Sequence, residues 1–581
     1  MKYFLATCLL SACLCSAQAM PSLRHNILGN FAPLQSQAGP TAVSSYVDVH
    51  AYGAIGDGQR KAGCSVSAGS PTLTCPNGTF VPADTGKVVT VAFAGAATGC
   101  KAYATQHNTA GACWLKTKIQ HYTDSAHVTM AASATTSAPS TAIQFGTDNR
   151  AAIQAAVDMG TNTQVAEFDV YIPHAVGQGV TGPPYSNFPG CYVVDGTIYL
   201  PDPAFSQFRF VRIRGDGNQA SLICGADPSQ DVFSVQTAFT AATEYWFKDF
   251  GIAYAGNYLG TSLIHCHRCV QIRIEGMWLS EAQKAFWADV SKNGDGTQLV
   301  RFHGNVCEYT FSCIYWTRDK TAGRTVNQFL DAYDNVLDIT APGWALDSSG
   351  GRLNSYGFDL NKVDAANIHD NIFWGGGRGI LCVDCADLEV HSNDFTYMPS
   401  TLLRDSPGGY GYHNLSLRGT GIHHAVRNNV HDNHFASANS EAVEVAGDVG
   451  AAFHGNHYTY TGAAQPYMAI TATKGANQLA VTNEIINTCA SPCITVAAGA
   501  LEPPSVISDN SFPSSVTTPI AIAGTLASGV YVAQHSGDAA GNNANFAGYQ
   551  VNGTSGFTGT KKVGSCVLTI SGGIITNVTG C

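Results

Sequence analysis

The sequence predicts an all-β chain wound as a right-handed parallel β-helix, with an N-terminal capping helix and a small inserted β module. Three observations carry this: a repeat with a period in the twenties, alternation of apolar and polar residues, and a loop-rich composition. From about residue 260 an apolar strand is repeatedly followed by Asn and, one or two places later, a hydrophobic or aromatic residue. The pattern runs through Gly304-Asn305-Val306, Asp334-Asn335-Val336, Asp370-Asn371-Ile372-Phe373, Ser392-Asn393-Asp394-Phe395, Asp432-Asn433-His434-Phe435, Gly455-Asn456-His457-Tyr458, Thr482-Asn483-Glu484-Ile485 and Asp509-Asn510-Ser511-Phe512. Successive asparagines are 30, 36, 22, 40, 23, 27 and 27 residues apart. A period in the twenties, lengthened where loops are inserted, marks a solenoid of short strands. Segments such as Leu388-Glu389-Val390-His391 and Val443-Glu444-Val445 alternate as one-sided strands do. Stacked coils would set each Asn above the next, where its amide satisfies turn backbone groups, so a structural role is expected for them. Only 12% of residues are charged and 61 are Gly, which suits turns and strands better than helices.

The chain opens with Met1-Lys2, an apolar run from Tyr3 to Leu14, and Ser16-Ala17-Gln18-Ala19. This has the form of an export leader (residues 1–19), with a mature start near Met20. The alternative is a lipoprotein box, Leu10-Ser11-Ala12-Cys13, with Cys13 as the lipidated end. No later stretch approaches about 18 unbroken apolar residues, so no membrane span is expected. Without the leader, 29 basic face 41 acidic side chains, an excess that argues against a nucleic-acid partner.

Sixteen cysteines then remain. An even number in an exported chain reads as a disulfide set. In chain order they form Cys64 with Cys75, Cys100 with Cys113, Cys191 with Cys224, Cys266 with Cys269, Cys307 with Cys313, Cys382 with Cys385, Cys489 with Cys493, and Cys566 with Cys581. Zinc shared by the two C-x-x-C pairs is the alternative, but 113 residues separate Cys269 from Cys382, far beyond ribbon spacing of about 15–20.

The expected organisation is an N-terminal segment (20–45), the helical solenoid (46–58 and 147–530), an inserted β-rich module (59–146) and a tail (531–581) ending in a hairpin over Lys561–Ile575. The segment from Thr147 to Asp158 predicts the capping helix: Thr147 or Asp148 caps it, and Ile153, Ala156 and Val157 form its apolar stripe. The module carries strand-like Val88-Val89-Thr90-Val91-Ala92.

Val47-Asp48-Val49-His50-Ala51-Tyr52-Gly53-Ala54-Ile55-Gly56-Asp57-Gly58, continued by Thr147-Asp148-Asn149-Arg150-Ala151-Ala152-Ile153, resembles the opening of the pectate-lyase-3-like β-helix family, a group of rhamnogalacturonase, epimerase and tailspike type. In that family the two pieces are nearly contiguous; here residues 59–146 separate them, and Asn149 replaces the usual second Asp. The resemblance implies the fold and a carbohydrate-active enzyme, a glycoside hydrolase or polysaccharide lyase acting on an acidic, pectin-like polysaccharide. A non-catalytic glycan-binding or tailspike-like surface protein is the alternative, because the family hosts several functions.

Hydrolysis needs two carboxyl groups across the scissile bond, whereas lysis needs a base beside a uronate carboxylate and a cation for the developing charge. Aligning the strands after each turn brings Asp347, Asp359, Glu441 and Glu444 to one face as candidate catalytic acids. Arg378 is the candidate carboxylate holder, and Trp316, Trp344 and Trp374 are candidate sugar-stacking walls. Glu281, Asp289 and Glu308 form a second-choice set earlier in the chain. No cofactor is expected. The run Asp289-x-Ser291-x-Asn293-Gly294-Asp295 has calcium-loop spacing in its first half, but its twelfth position is Val300, where calcium loops place a bidentate Glu. His423, His424, His431 and His434 alternate with Asn-rich turns and read as structural. Monomer and trimer are both open.

Overall fold

The computed structural model describes residues 45–96, 114–162, 167–175, 190–200, 209–236, 243–254, 260–267, 269–289, 297–316, 327–338, 356–374, 378–396, 413–420, 425–436, 441–459, 466–472, 475–516, 518–532, 550–551, 554–555, 559–563, 566–571 and 574–579. Among them, three parallel sheets run side by side along a β-helix. The first has fourteen strands, from Ser45–Asp48 to Val530–Val532; the second has twelve, from Ile198–Leu200 to Ile520–Ile522; the third has eleven, from Tyr192–Val194 to Ile485–Ile486. One coil shows the path: Gln271–Glu275 in the first sheet, Trp278–Ser280 in the third, Ala282–Asp289 in the second, then Gln298–His303 back in the first. Every strand pairs in parallel with its counterpart one coil away, as in Trp287 beside Tyr315 and Tyr315 beside Asp359. Inward residues such as Ile274, Phe286, Phe302, Ile314 and Phe358 are fully buried in one continuous core.

The turn from the first to the third sheet explains the Asn repeat. Asp334, Asp370, Ser392, Asp432 and Gly455 have φ between 54° and 67°, and the next residue is a ladder Asn. Asn371 shows the pattern: its backbone N–H and Nδ2 donate to Oδ1 of Asn393 at 3.1 and 2.9 Å, and Nδ2 also donates to the Ala332 carbonyl at 2.9 Å. The column runs from Asn305 through Asn335, Asn371, Asn393 and Asn433 to Asn456. One coil departs from the expected reading. There Asn483 takes the left-handed turn position with φ 57°, and Glu484 takes the ladder position, accepting from Asn456 Nδ2 at 3.0 Å. Asn510 resumes the column as acceptor from the Glu484 N–H at 3.0 Å.

The two halves of the opening motif meet although 88 residues lie between them. Asp57 accepts from the Thr147 N–H and Oγ1 at 2.9 and 2.8 Å. Asn149 accepts from the Ile55 N–H at 2.6 Å and donates to the Ile55 carbonyl at 3.0 Å. The helix spans Arg150–Asn162, and Asp148 accepts from the Arg150 N–H at 3.0 Å. Ile153, Ala156 and Val157 are fully buried against the strands that begin the first and second sheets. The intervening chain folds as a closed barrel of six antiparallel-paired strands between Gln59 and Gly146, with its own core around Leu73, Val89, Ile119 and Phe145. Arg60 of this barrel forms a buried ion pair with Glu281 of the helix. Near the C-terminus, Gly559–Val563, Cys566–Ser571 and Ile574–Thr579 make a three-stranded antiparallel sheet.

Six of the expected disulfides are present: Cys64–Cys75, Cys191–Cys224, Cys266–Cys269, Cys307–Cys313, Cys382–Cys385 and Cys489–Cys493. Cys100, Cys113 and Cys581 lie outside the described residues, as does the side chain of Cys566. No helix among the described residues is long and apolar enough to cross a membrane.

Candidate active site on the second sheet

Strands of the second sheet share one rhythm of facing: residues turned away from the core at a first position, three further on, and five further on, some of them, such as Ser262 and His265, covered by their neighbours. Strand Gly260–His267 thus presents Ser262, His265 and His267; strand Ala282–Asp289 presents Lys284, Trp287 and Asp289; strand Tyr356–Asn361 presents Tyr356, Asp359 and Asn361. The two residues between the first and second of these, such as Ala285 and Phe286, are both fully buried. Parallel register aligns the outward residues in rows. One row runs Ser262, Lys284, Ser312, Tyr356, Arg378, and another runs His265, Trp287, Tyr315, Asp359. Five strands at about 4.8 Å spacing make this a face roughly 19 Å long. Glycines hold two of these strands close to the third sheet: a Cβ at Gly357 would sit 2.7 Å from Phe373, and one at Gly379 2.5 Å from Phe395.

Lys284 is the centre of the face. Its Nζ lies 3.7 Å from the Trp287 ring centroid and 4.7 Å from that of Tyr315. Burial between these rings lowers its pKa to about 8, against the pull of Asp231, Asp289 and Asp359. Burial raises the neighbouring Asp359 to about 6, although Arg378 and Lys284 both favour its carboxylate. Tyr315, buried and near Asp359, is pushed up to about 12 and stays a phenol. A base, a cation and a protonated hydroxyl thus stand on three consecutive strands, with titrations that bracket neutral pH.

At one end of the face the His265 ring stacks on Trp287 with centroids 3.7 Å apart and planes 9° from parallel. His265 Nδ1 contacts Asp231 Oδ2 at 2.7 Å, and its Nε2 contacts Asp289 Oδ2 at 3.1 Å. At the other end, His413 is buried between Glu441 and Glu444, with contacts of 3.7 and 3.6 Å. Glu444 also accepts from Arg418 Nε and Nη2. Burial acts to raise its pKa, but His413, Arg418 and Ser416 together keep it below the usual range.

The expected site residues therefore separate. Asp359 and Glu444 lie on one sheet, with Glu441 two residues before the strand Val443–Ala446, but Asp359 and Glu444 share a row three strand steps apart, roughly 14 Å between backbone positions, and the Glu444 carboxylate is engaged by Arg418 and Ser416. Arg378 is 1% exposed, so it acts on Asp359 through its field and is not an open fork for a sugar carboxylate. Trp316 is a correction: it is fully buried in the core, and its neighbour Tyr315 faces outward. Trp374 is exposed but stands on Ile372–Trp374 of the third sheet, away from Asp359. Asp347 and Trp344 lie outside the described residues, as do residues 290–296 of the calcium-like run. In the second-choice set, Glu281 is buried against Arg60 and Glu308 accepts from Trp278 Nε1 at 3.1 Å in the third sheet; Asp289 alone joins the face. His431 sits in a stacked column between His391 and His454 on the first sheet, bonded to Glu389 and Asp432. Lys284, Tyr315, Trp287 and the His265 group stand outside the expected set, and the three-then-two spacing in consecutive strands is the signal that places them on the outer face of the sheet.

No protein-family model and no curated protein matches this chain. Among solved structures it is similar to the A-module of an Azotobacter vinelandii mannuronan C-5 epimerase, at 14% identity over 67% of this chain and 96% of that one, with a TM-score of 0.38. It is similar to the tailspike of Escherichia coli bacteriophage HK620, at 13% identity over 67% and 77% of the two chains, with a TM-score of 0.37. A thermostable α-1,3-glucanase from Streptomyces thermodiastaticus matches at 12% identity over 79% and 89%, with a TM-score of 0.28.

Proposed function

We propose that this chain is an exported enzyme acting on an acidic polysaccharide by general acid–base chemistry, with Lys284, Tyr315 and Asp359 at the reacting bond. The observation that carries this reading is the placement of a raised carboxyl, a lowered ammonium and a phenol on adjacent strands beside an outward Trp287. The roles fit elimination from a uronate. Asp359 takes the proton next to the uronate carboxylate, Lys284 offsets the charge that develops there, and Tyr315 protonates the leaving glycosidic oxygen. The C–H electron pair becomes the new C=C bond as the C–O bond breaks, and water returns the proton from Asp359 to Tyr315. Hydrolysis is less well served, because Asp289, the nearest other acid on the outer side of these strands, has both carboxylate oxygens engaged by His265 and His267. Export accords with the six disulfides and the leader-like opening.

A panel of acidic and neutral polysaccharides tests the reading. Elimination yields an ultraviolet-absorbing unsaturated uronate along with new reducing ends. Reducing ends without unsaturation would mean hydrolysis, and neither product from any acidic polysaccharide would leave a glycan-binding protein.

A further inference from the structure

We infer that Asp231, His265 and His267 bind a transition-metal dication of the zinc class at the end of this face. The inference stands independently of the elimination chemistry, which uses none of the three. His265 and His267 are alternate residues on one strand, so both imidazoles project from the same side, with ring centroids 3.6 Å apart. Asp231 comes from the preceding coil, just before strand Phe233–Gln236. One donor atom from each of the three lies within 4.8 Å of the others. Tetrahedral zinc with bonds of about 2.0–2.1 Å holds its ligand atoms about 3.4 Å apart, so small side-chain rotations close the site.

The donor set selects the metal. Two imidazoles and a carboxylate suit zinc and its first-row neighbours, whereas calcium takes oxygen ligands alone. Supporting contacts are already in place. Ser262 donates to the second oxygen of Asp231. Asp289, from the following strand, reaches His265 Nε2 and His267 Nδ1, both at 3.1 Å, as outer carboxylates do when they orient metal-bound imidazoles. Asp231 and Asp289 together carry the two negative charges that one dication cancels. The side chains of His267 and Asp289 remain 33% and 26% exposed, so one side of the site opens to solvent and to a glycan oxygen. Trp287, stacked on His265, links this position to Lys284.

The test is equilibrium dialysis of the full, metal-stripped chain against Zn²⁺ and, separately, Ca²⁺, followed by metal analysis. Wild type should take up one zinc equivalent that His267→Ala and Asp231→Asn bind at least tenfold more weakly, while His431→Ala, in the separate histidine column, retains it. Equal zinc uptake by wild type and the two ligand variants, or a preference for Ca²⁺, overturns the site. If the variants misfold, X-ray absorption of zinc-loaded wild type decides: two imidazoles with oxygen ligands support the site, and any other first shell refutes it. Absence of elimination activity in wild type that binds zinc would refute only the catalytic reading.

Discussion

In the proposed site the chemistry comes down to two protons, on Asp359 and Lys284. Asp359 becomes a base as pH rises through about 6, and Lys284 loses its charge as pH rises through about 8. The kcat/KM profile should therefore be a bell with limbs near those values, since it reports the essential acid and base of the free enzyme. A hydrolase using protonated Asp359 as its acid would instead lose activity through the lower limb. Asp359→Asn should cost on the order of 10²–10⁴ in turnover, with an unchanged unfolding transition. Glu441→Gln and Glu444→Gln should leave turnover within a few-fold, because their carboxylates serve His413 and Arg418.

The turn between the first and third sheets is the element that makes the coils stack, and its energetics are local. Removing the Asn371 side chain takes the acceptor from the buried Asn335 N–H and one of the two partners from Asn335 Nδ2, and removes the donor to the Ala332 carbonyl. Each orphaned group costs about 1–3 kcal/mol, so Asn371→Ala should lower the denaturation midpoint clearly more than alanine at exposed Asp370. Glu484 makes the same column pH-dependent. Burial raises it to about 8 in the fold, against 4.5 for the free side chain, while Tyr467 and Asn456 hydrogen-bond to it. The folded state thus holds a proton that the unfolded chain releases, so this group makes stability fall as pH rises from about 4.5 to about 8. The loss approaches roughly 4 kcal/mol at the upper end. Glu484→Gln should flatten that slope in denaturation measured across the same range; an unchanged slope would show that Glu484 ionises freely in the fold. The column was legible in the sequence because each coil needs a left-handed residue followed by Asn. It was misread at Asn483 because Asn satisfies either position.

For the molecule as a whole, the solenoid was legible because every coil repeats the same local requirements, and the six described disulfides because each joins near neighbours in sequence. The chain-entropy contribution grows from about 1.6 kcal/mol for the three-residue separations to about 3.7 for Cys191–Cys224. Replacing that pair by Ser should accordingly destabilise more than replacing Cys382 and Cys385, as read by thermal unfolding. The site was less legible because an outward position depends on strand phase. Two adjacent buried residues in each second-sheet strand shift that phase by one, which turned Tyr315 outward and Trp316 into the core. The most direct test of the second-sheet face is turnover of an acidic polysaccharide, followed as unsaturated product, by wild type, Asp359→Asn and Glu444→Gln side by side. The face predicts that Asp359→Asn alone nearly abolishes the signal; full activity in Asp359→Asn with loss in Glu444→Gln would place the chemistry at His413 and contradict it.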